Sequence, residues 1–147
     1  MFRGEDEHTI DDRGRVFLPT RYREGLGDRV LLVRGLDGQI NLYTQSTWQA
    51  MAERVAQSNQ PRSQIRNTSR LLFSASECEV DRQGRILIPS LLRRYADLGT
   101  DVIILGHDDH VELWSRERWQ GICEGVVTQW RDNKDDIEKV AMLELTL

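Results

Sequence analysis

A ten-residue motif that occurs twice is the strongest constraint on how this chain can fold. IDDRGRVFLP at residues 10–19 returns as VDRQGRILIP at residues 80–89. A longer segment also repeats, because GLDGQINLYTQSTW (35–48) aligns with GHDDHVELWSRERW (106–119). The period of about 70 residues is too long for a solenoid repeat. The sequence therefore predicts that a small β-rich module is duplicated within one chain.

Both copies predict the same order of secondary structure. A strand, a tight Asp-x-x-Gly turn and a second strand that ends at Pro lead into a short helical turn. An apolar strand, a hairpin turn, another strand and a closing helix follow. Pro19 and Pro89 are predicted to end a strand and to occupy the first position of the helical turn that follows. Ser46 or Thr47 is the predicted N-cap of the first closing helix, and the second is predicted to begin near Ser115.

These elements predict an α+β chain with four segments. The first repeat and its closing helix occupy residues 1–60, and a connecting helix that Pro61 opens lies within residues 61–76. The second repeat and its closing helix occupy residues 77–131, and residues 132–147 form a C-terminal tail. The closing helix at 115–131 has apolar residues at helical spacing along one face. This face could form a subunit contact, or it could lie partly in the core and partly in an interface.

Composition limits the classes of protein to which the chain can belong. With 147 residues, 39% apolar and 30% charged, it is typical of a globular protein. No apolar run is long enough to span a bilayer and no signal peptide is recognisable, so the expected location is the cytosol. Two cysteines, Cys78 and Cys123, are too few for a disulfide framework. The net charge is −4, yet all basic residues except Lys134 and Lys139 are Arg, which binds phosphate and guanine bidentately.

The repeated turns concentrate these arginines. Asp11 and Asp81 are expected to structure their own turns by accepting backbone N–H groups, together with Gly14 and Gly84. No turn geometry requires an Arg directly after the Gly, and here this occurs twice, as Arg15 and Arg85. Further arginines lie close by in the sequence: Arg13, Arg21 and Arg23 around the first turn, and Arg82, Arg93 and Arg94 around the second. Such guanidinium clusters favour phosphate contact and base recognition.

Several motifs together resemble the MraZ family of bacterial transcriptional regulators, which is related to AbrB-type swapped-hairpin domains. The resemblance rests on MFRG at the N-terminus, the paired D-x-x-x-R motifs, ASEC at 75–78, GRILIP at 84–89 and ELW at 112–114. It covers residues 1 to about 130. The implied fold is a tandem of AbrB-like swapped-hairpin β modules related by a pseudo-twofold axis, with flanking helices.

The resemblance also implies a function. Family members form ring-shaped homo-oligomers that bind short direct repeats of double-stranded DNA, and they usually repress the operon for cell division and cell-wall synthesis. The D-x-x-x-R turns would form the DNA surface, so Arg15 and Arg85 carry over, with Arg13 as a helper. Gln83 stands where the first copy has Arg13, although Arg82 is adjacent. The implied protein acts in the cytoplasm at the nucleoid, without a membrane, a cofactor or a small-molecule substrate.

Two other functions are compatible with parts of the sequence. HDDH at 107–110 could bind a metal in an enzyme, but it aligns with LDGQ at 36–39, which predicts a polar turn with incidental histidines. No Ser–His–Asp constellation or Gly-rich phosphate loop is recognisable, so neither catalysis nor a metal is expected. Alternatively, the chain could be an oligomeric scaffold or antitoxin-like module that binds a protein through its acidic tail at 131–147.

Overall fold

Two antiparallel sheets and five helices make up the computed structural model, which describes residues 1–135 and 138–139. The elements are β1 (Glu5–Thr9), β2 (Arg15–Phe17), α1 (Thr20–Leu26), β3 (Arg29–Arg34), β4 (Ile40–Tyr43), α2 (Gln45–Ala56), α3 (Arg62–Phe73), β5 (Ser76–Glu79), β6 (Arg85–Leu87), α4 (Ser90–Tyr95), β7 (Asp101–His107), β8 (His110–Ser115) and α5 (Arg116–Asp132). Six strands form one sheet in the order β1-β7-β8-β4-β3-β5. The other two, β2 and β6, form a separate ribbon. This confirms the predicted α+β class.

The chain forms two compact units, Met1–Arg116 and Glu117–Leu147. Both copies of the repeated motif lie in the first unit, and almost all of α5 belongs to the second. The predicted tail at 132–147 falls mostly outside the described residues. The boundaries drawn at residues 60, 76 and 131 stay predictions. Across residues 1–135 and 138–139, no helix combines the length and apolarity that crossing a bilayer requires.

The two repeats are interlocked by their strand pairing. β1 of the first repeat pairs with β7 of the second, and β5 of the second repeat pairs with β3 of the first. β4 and β8, which are equivalent strands, pair with each other so that Asn41 lies opposite Glu112. β2 and β6 do the same, with Val16 opposite Ile86. In the pairs Asn41–Glu112 and Val16–Ile86, the two residues occupy equivalent positions of the two repeats. The pseudo-twofold axis therefore passes through both pairs, in agreement with the predicted swapped-hairpin modules.

The main hydrophobic core is built from equivalent residues of the two repeats. Strand alternation turns Val16 and Ile86 inward from the ribbon, where each is 1% exposed. Around them pack Leu18, Ile88, Val30, Val102, Leu32, Ile104, Ile40, Val111, Leu42 and Leu113. Truncating one such buried side chain to Ala typically costs about 2–5 kcal/mol. The core thus belongs to neither repeat alone.

A second cluster covers the other face of the large sheet beside β3 and β4. Val33 and Tyr43 point away from the main core and pack with Leu72 of α3 and the apolar face of α2. The Nε1 of Trp48 donates to the carbonyl of Leu72 over 3.0 Å and joins the two helices. Helices α2 and α3 are therefore fixed on the first repeat by both packing and a hydrogen bond.

Two predictions about helix starts need correction. Pro19 and Pro89 occupy the N-cap position, one residue before the first helical residue. The N-cap of α2 is Thr44, and not Ser46 or Thr47, because the Thr44 hydroxyl accepts from the backbone N–H of Thr47 at 3.1 Å. Thr44 was not predicted as the cap because it directly follows Tyr43, the last residue of β4. In the sequence it therefore fits the end of the strand as well as the start of the helix.

We expect Thr44→Ala to lower the free energy of unfolding by about 1 kcal/mol, because the substitution removes the acceptor for an N-terminal N–H group of α2. Ser46→Ala is the matched control and is expected to change the free energy little. Urea denaturation followed by circular dichroism measures both. Equal destabilisation by the two variants would contradict the assignment of Thr44 as the cap.

Candidate nucleic-acid interface

The first D-x-x-x-R turn is organised by the carboxylate of Asp11. Its Oδ1 accepts the backbone N–H groups of Arg13 at 3.0 Å and Arg15 at 2.8 Å. Its Oδ2 accepts Nε of Arg15 at 2.8 Å, so the same carboxylate also orients the guanidinium. The predicted turn-structuring role of Asp11 agrees with this geometry. The Arg15 side chain donates to Asp11 through Nε. This bond does not use the N–H donors on the two terminal nitrogens of the guanidinium.

The second turn repeats this arrangement closely. Oδ1 of Asp81 accepts the backbone N–H groups of Gln83 and Arg85, both at 2.9 Å. Oδ2 accepts Nε of Arg85 at 3.0 Å. Each of the two Arg side chains, Arg15 and Arg85, retains 30% of its accessible surface. Both arginines are thus held in one orientation while remaining open to solvent.

Each turn also receives an arginine from the opposite repeat. Gly14 has φ +86° and Gly84 has φ +82°, conformations that favour glycine. A Cβ on Gly14 would lie 2.8 Å from Cζ of Arg93, and one on Gly84 would lie 2.8 Å from Cζ of Arg23. The sequence grouped Arg23 with the first turn and Arg93 with the second. The structure exchanges them, because the two repeats are interlocked.

The location of Arg23 could not be predicted from its proximity in sequence to the first turn. Its Nη2 donates to Oγ1 of Thr20 at 2.8 Å, and its guanidinium lies 5.3 Å from the ring centroid of Phe17. Its Nε is buried without a hydrogen-bond partner among the described residues. Arg23 and Arg93 occupy equivalent positions in the aligned repeats. This equivalence did indicate that the two arginines have the same role in the two turns.

The ribbon of β2 and β6 joins both turns on one surface. In this antiparallel pair Arg15 lies opposite Leu87, and Phe17 lies opposite Arg85. Alternation places these four residues outward while Val16 and its partner face the core. Phe17 is 37% and Leu87 54% exposed, so the ribbon presents two apolar side chains beside its arginines. We call Arg15, Phe17, Arg85 and Leu87 the ribbon face.

The charges around the ribbon face are mixed, with cations in excess. Arg13 and Arg82, the other two arginines expected to contact DNA, are exposed in the turns beside it. The backbone N–H of Arg15 is the largest influence on the pKa of Asp11; burial opposes it, and the Arg15 side chain adds to the net lowering. The same causes, with Arg85, lower the pKa of Asp81. Both carboxylates stay ionised, so each partly neutralises the Arg that it orients.

The HDDH segment forms a hairpin turn, as the alignment predicted, but its histidines are not isolated. Nδ1 of His107 lies 3.0 Å and Nε2 of His110 lies 2.8 Å from the same oxygen, Oε2 of Glu112. Burial raises the pKa of Glu112, but hydrogen bonds from both histidines and from Trp114 outweigh it and lower this pKa to about 2. The turn motif did not indicate Glu112, because this residue lies in β8, outside the turn.

Gly14→Ala is expected to lower the free energy of unfolding by about 1–3 kcal/mol, because it adds a side chain at positive φ against the guanidinium of Arg93. Gly99→Ala is the control, since a Cβ at Gly99 meets no atom within 4 Å. Thermal and urea unfolding of both variants test this. A Gly14→Ala protein as stable as Gly99→Ala would show that the turn tolerates a side chain.

The depressed pKa of Asp11 gives a second prediction. A carboxyl whose folded-state pKa lies below its unfolded value stabilises the fold above that unfolded value, and the contribution is lost as pH falls through the folded pKa. Arg15→Ala should raise the pKa of Asp11 but leave it below its ordinary value, because the backbone N–H groups remain. Carboxyl-detected NMR titration measures this, with Asp81 as internal control. A pKa for Asp11 that does not move would contradict the role of the Arg15 side chain.

Comparison with known proteins places the chain in a family. A family model described as "MraZ protein, putative antitoxin-like" matches residues 1–70 and again residues 71–136. A protein named transcriptional regulator MraZ from Natranaerobius thermophilus is 41% identical over 138 residues, which is 93% of this chain and 96% of that protein. Its namesake from Moorella thermoacetica is 42% identical over 142 residues, 96% of this chain and 94% of that protein.

A third relative from Heliobacterium modesticaldum, with the same name, is 47% identical over 120 residues, covering 81% of this chain and 84% of that protein. All three are named as regulators rather than enzymes, in agreement with the prediction of no catalytic activity. The two matches of the family model fit the tandem AbrB-like modules of the fold. The chain belongs to the MraZ family.

Proposed function

We propose that this protein is a sequence-specific DNA-binding transcriptional regulator and that the ribbon face is its DNA surface. The observation that carries the proposal is the pair of guanidiniums, Arg15 and Arg85, each fixed at Nε by an Asp of its own turn. An Arg held in this way loses little side-chain entropy when it binds a phosphate or a guanine edge. The names of the relatives, all transcriptional regulators, support the same function.

A two-stranded ribbon is one of the elements by which proteins recognise DNA. A two-stranded antiparallel ribbon fits the major groove of B-DNA. On it Arg15 and Arg85 are diagonal neighbours, whose Cβ atoms in such a pair are about 7–8 Å apart. The two guanidiniums can therefore address neighbouring base pairs. Arg13 and Arg82, exposed at the two ends, are placed to contact flanking phosphates.

Assembly into a ring-shaped homo-oligomer completes the proposal. A chain of net charge −4 that presents a few arginines binds DNA weakly, because each phosphate contact contributes a modest, salt-sensitive amount. Several chains in one ring, matched to several direct repeats of double-stranded DNA, gain affinity through effective concentration. We propose that the ring acts in the cytoplasm at the nucleoid and represses the operon for cell division and cell-wall synthesis.

A second candidate is an antitoxin-like module that binds a protein. It is favoured by the description of the family model, which includes the term antitoxin-like. The acidic segment at 131–147 would then contact the partner, and most of that segment lies outside the described residues. This function would depend on the tail and would tolerate changes in the ribbon face.

Fluorescence anisotropy with DNA from upstream of the protein's own gene, compared with scrambled DNA over a salt series, tests the DNA-binding proposal. We expect specific binding that weakens with salt and falls at least about 10-fold in Arg15→Ala and Arg85→Ala. Both variants should keep their circular dichroism spectrum and oligomer mass, because ion pairs of partly exposed arginines contribute little to stability. Light scattering of the same samples measures the number of subunits.

The matched control is Arg29→Ala, which removes an exposed Arg that pairs with Glu79 at 3.3 Å and lies on β3, a strand of the six-stranded sheet and not of the ribbon. It should leave DNA affinity unchanged. Equal, weak binding to both DNAs, unaffected by Arg15→Ala, would refute the proposal. A partner interaction lost on deleting residues 132–147 would then favour the antitoxin-like function.

A further inference from the structure

The hairpin between β7 and β8 carries a cluster of three potential metal ligands, which we call the hairpin cluster: His107, His110 and Glu112. One ligand atom from each residue lies within 4.8 Å of the others. In the described part of the chain, the two imidazoles converge on Oε2 of Glu112, at 3.0 Å and 2.8 Å. Tetrahedral ligands of zinc are about 3.3–3.4 Å apart when the metal–nitrogen bond is about 2.0–2.1 Å. The two His–Glu112 distances are shorter than this spacing by only about 0.3–0.6 Å.

The strands and their neighbours hold the cluster in place. His107 and His110 are paired residues in the register of β7 and β8, and Glu112 lies two residues further on the same face of β8. The ring of Tyr43 lies against His110, with centroids 5.3 Å apart. The Glu112 side chain is only 7% exposed and that of His110 14%, whereas that of His107 is 67% exposed. The cluster is thus closed on the sheet side and open to solvent on the other.

Outer partners orient the ligands as they do in known metal sites. Nδ1 of His110 contacts a carboxylate oxygen of Asp109 at 2.8 Å, which directs its other nitrogen, Nε2, toward the cluster. Nε1 of Trp114 donates to Oε1 of Glu112 at 2.9 Å and leaves Oε2 for the cluster. A metal-bound His usually donates its second N–H to a carboxylate, and a ligating carboxylate is usually hydrogen-bonded in turn. Both arrangements are present here.

We propose that the hairpin cluster is a binding site for one divalent transition-metal ion of the zinc type, held by Nδ1 of His107, Nε2 of His110 and the carboxylate of Glu112. Two imidazoles and one carboxylate suit zinc, cobalt and nickel, whereas magnesium and calcium prefer oxygen ligands throughout. Three protein ligands leave a fourth position, on the exposed side of His107, for a water molecule.

The first repeat supplies an internal comparison. Its equivalent positions hold Leu36, Gln39 and Asn41, and none of these offers an imidazole or a carboxylate. The Oε1 of Gln39 instead accepts the backbone N–H of Asp37 at 2.9 Å, an ordinary turn hydrogen bond. The donor set therefore belongs to the second repeat alone. We expect one ion per chain rather than two.

Isothermal titration of the full chain with Zn²⁺, after removal of metals by a chelator, tests the proposal. We expect one Zn²⁺ per chain, and we expect Co²⁺ in its place to give the visible absorption of a four-coordinate site. His107→Gln changes an exposed side chain, so it should preserve the fold and weaken zinc binding at least about 10-fold. Asp109→Asn, which alters only an outer partner, should weaken it by about 10-fold.

His8→Gln is the matched control, because His8 lies on β1 and contacts the Phe17 ring rather than the cluster. It should leave zinc affinity unchanged. His110→Gln serves as the second ligand variant, with its circular dichroism spectrum confirming the fold. The proposal is overturned if the native chain binds no zinc, if His107→Gln and His110→Gln bind as tightly as the native chain, or if His8→Gln weakens binding equally. The measurement involves no DNA, so it stands apart from the outcome for the ribbon face.

Discussion

The exchange of strands between the two repeats is the constraint on which the rest of the structure depends. β1 and β5 each pair with a strand of the opposite repeat, and the two equivalent strands β2 and β6 pair with each other. Val16 and Ile86 meet on the pseudo-twofold axis and are almost fully buried. Neither repeat has a complete sheet or a complete core by itself. This explains why the chain keeps the same apolar pattern in both copies of its motif.

The same exchange builds the candidate interface. Because the repeats interlock, Arg93 of the second repeat lies against Gly14, and Arg23 of the first lies against Gly84. Each turn therefore combines an Asp–Arg pair of its own with an arginine from the other repeat. The Asp has two effects: it reduces the positive potential of its Arg, and it fixes the direction in which the guanidinium points. For recognition of a shaped surface, the fixed direction is the more valuable effect, because in the ring that we propose the additional subunits would supply long-range attraction.

Much of this could be predicted from the sequence, because repeated local patterns have local causes. Asp at the start and Gly at the end of each turn predicted the hydrogen bonds of Asp11 and Asp81, since those bonds span only two to four residues. Alternating apolar residues are likewise a local pattern, and those of β4 and β8, Ile40, Leu42, Val111 and Leu113, lie in the core. The exchange of Arg23 and Arg93 was missed because it depends on pairing between segments about 70 residues apart. The convergence of Glu112 on the histidines could not be predicted from the turn motif, because it depends on how β8 pairs with β7 after the turn.

The two repeats have diverged where the core does not constrain them. Ile40 and Leu42 correspond to Val111 and Leu113, so the inner face of the paired strands stays apolar in both copies. On the outer face, at the axis itself, Asn41 stands opposite Glu112.

These two residues occupy equivalent positions but unequal surroundings. Glu112 accepts hydrogen bonds from two imidazoles and an indole, whereas Oδ1 of Asn41 is buried without a partner among the described residues. A symmetric dimer of identical chains would carry the same residue at both positions on the axis. In a duplicated chain the two positions are encoded separately, so they can carry different residues. The protein can thus keep one fold for both repeats while giving each its own set of polar groups.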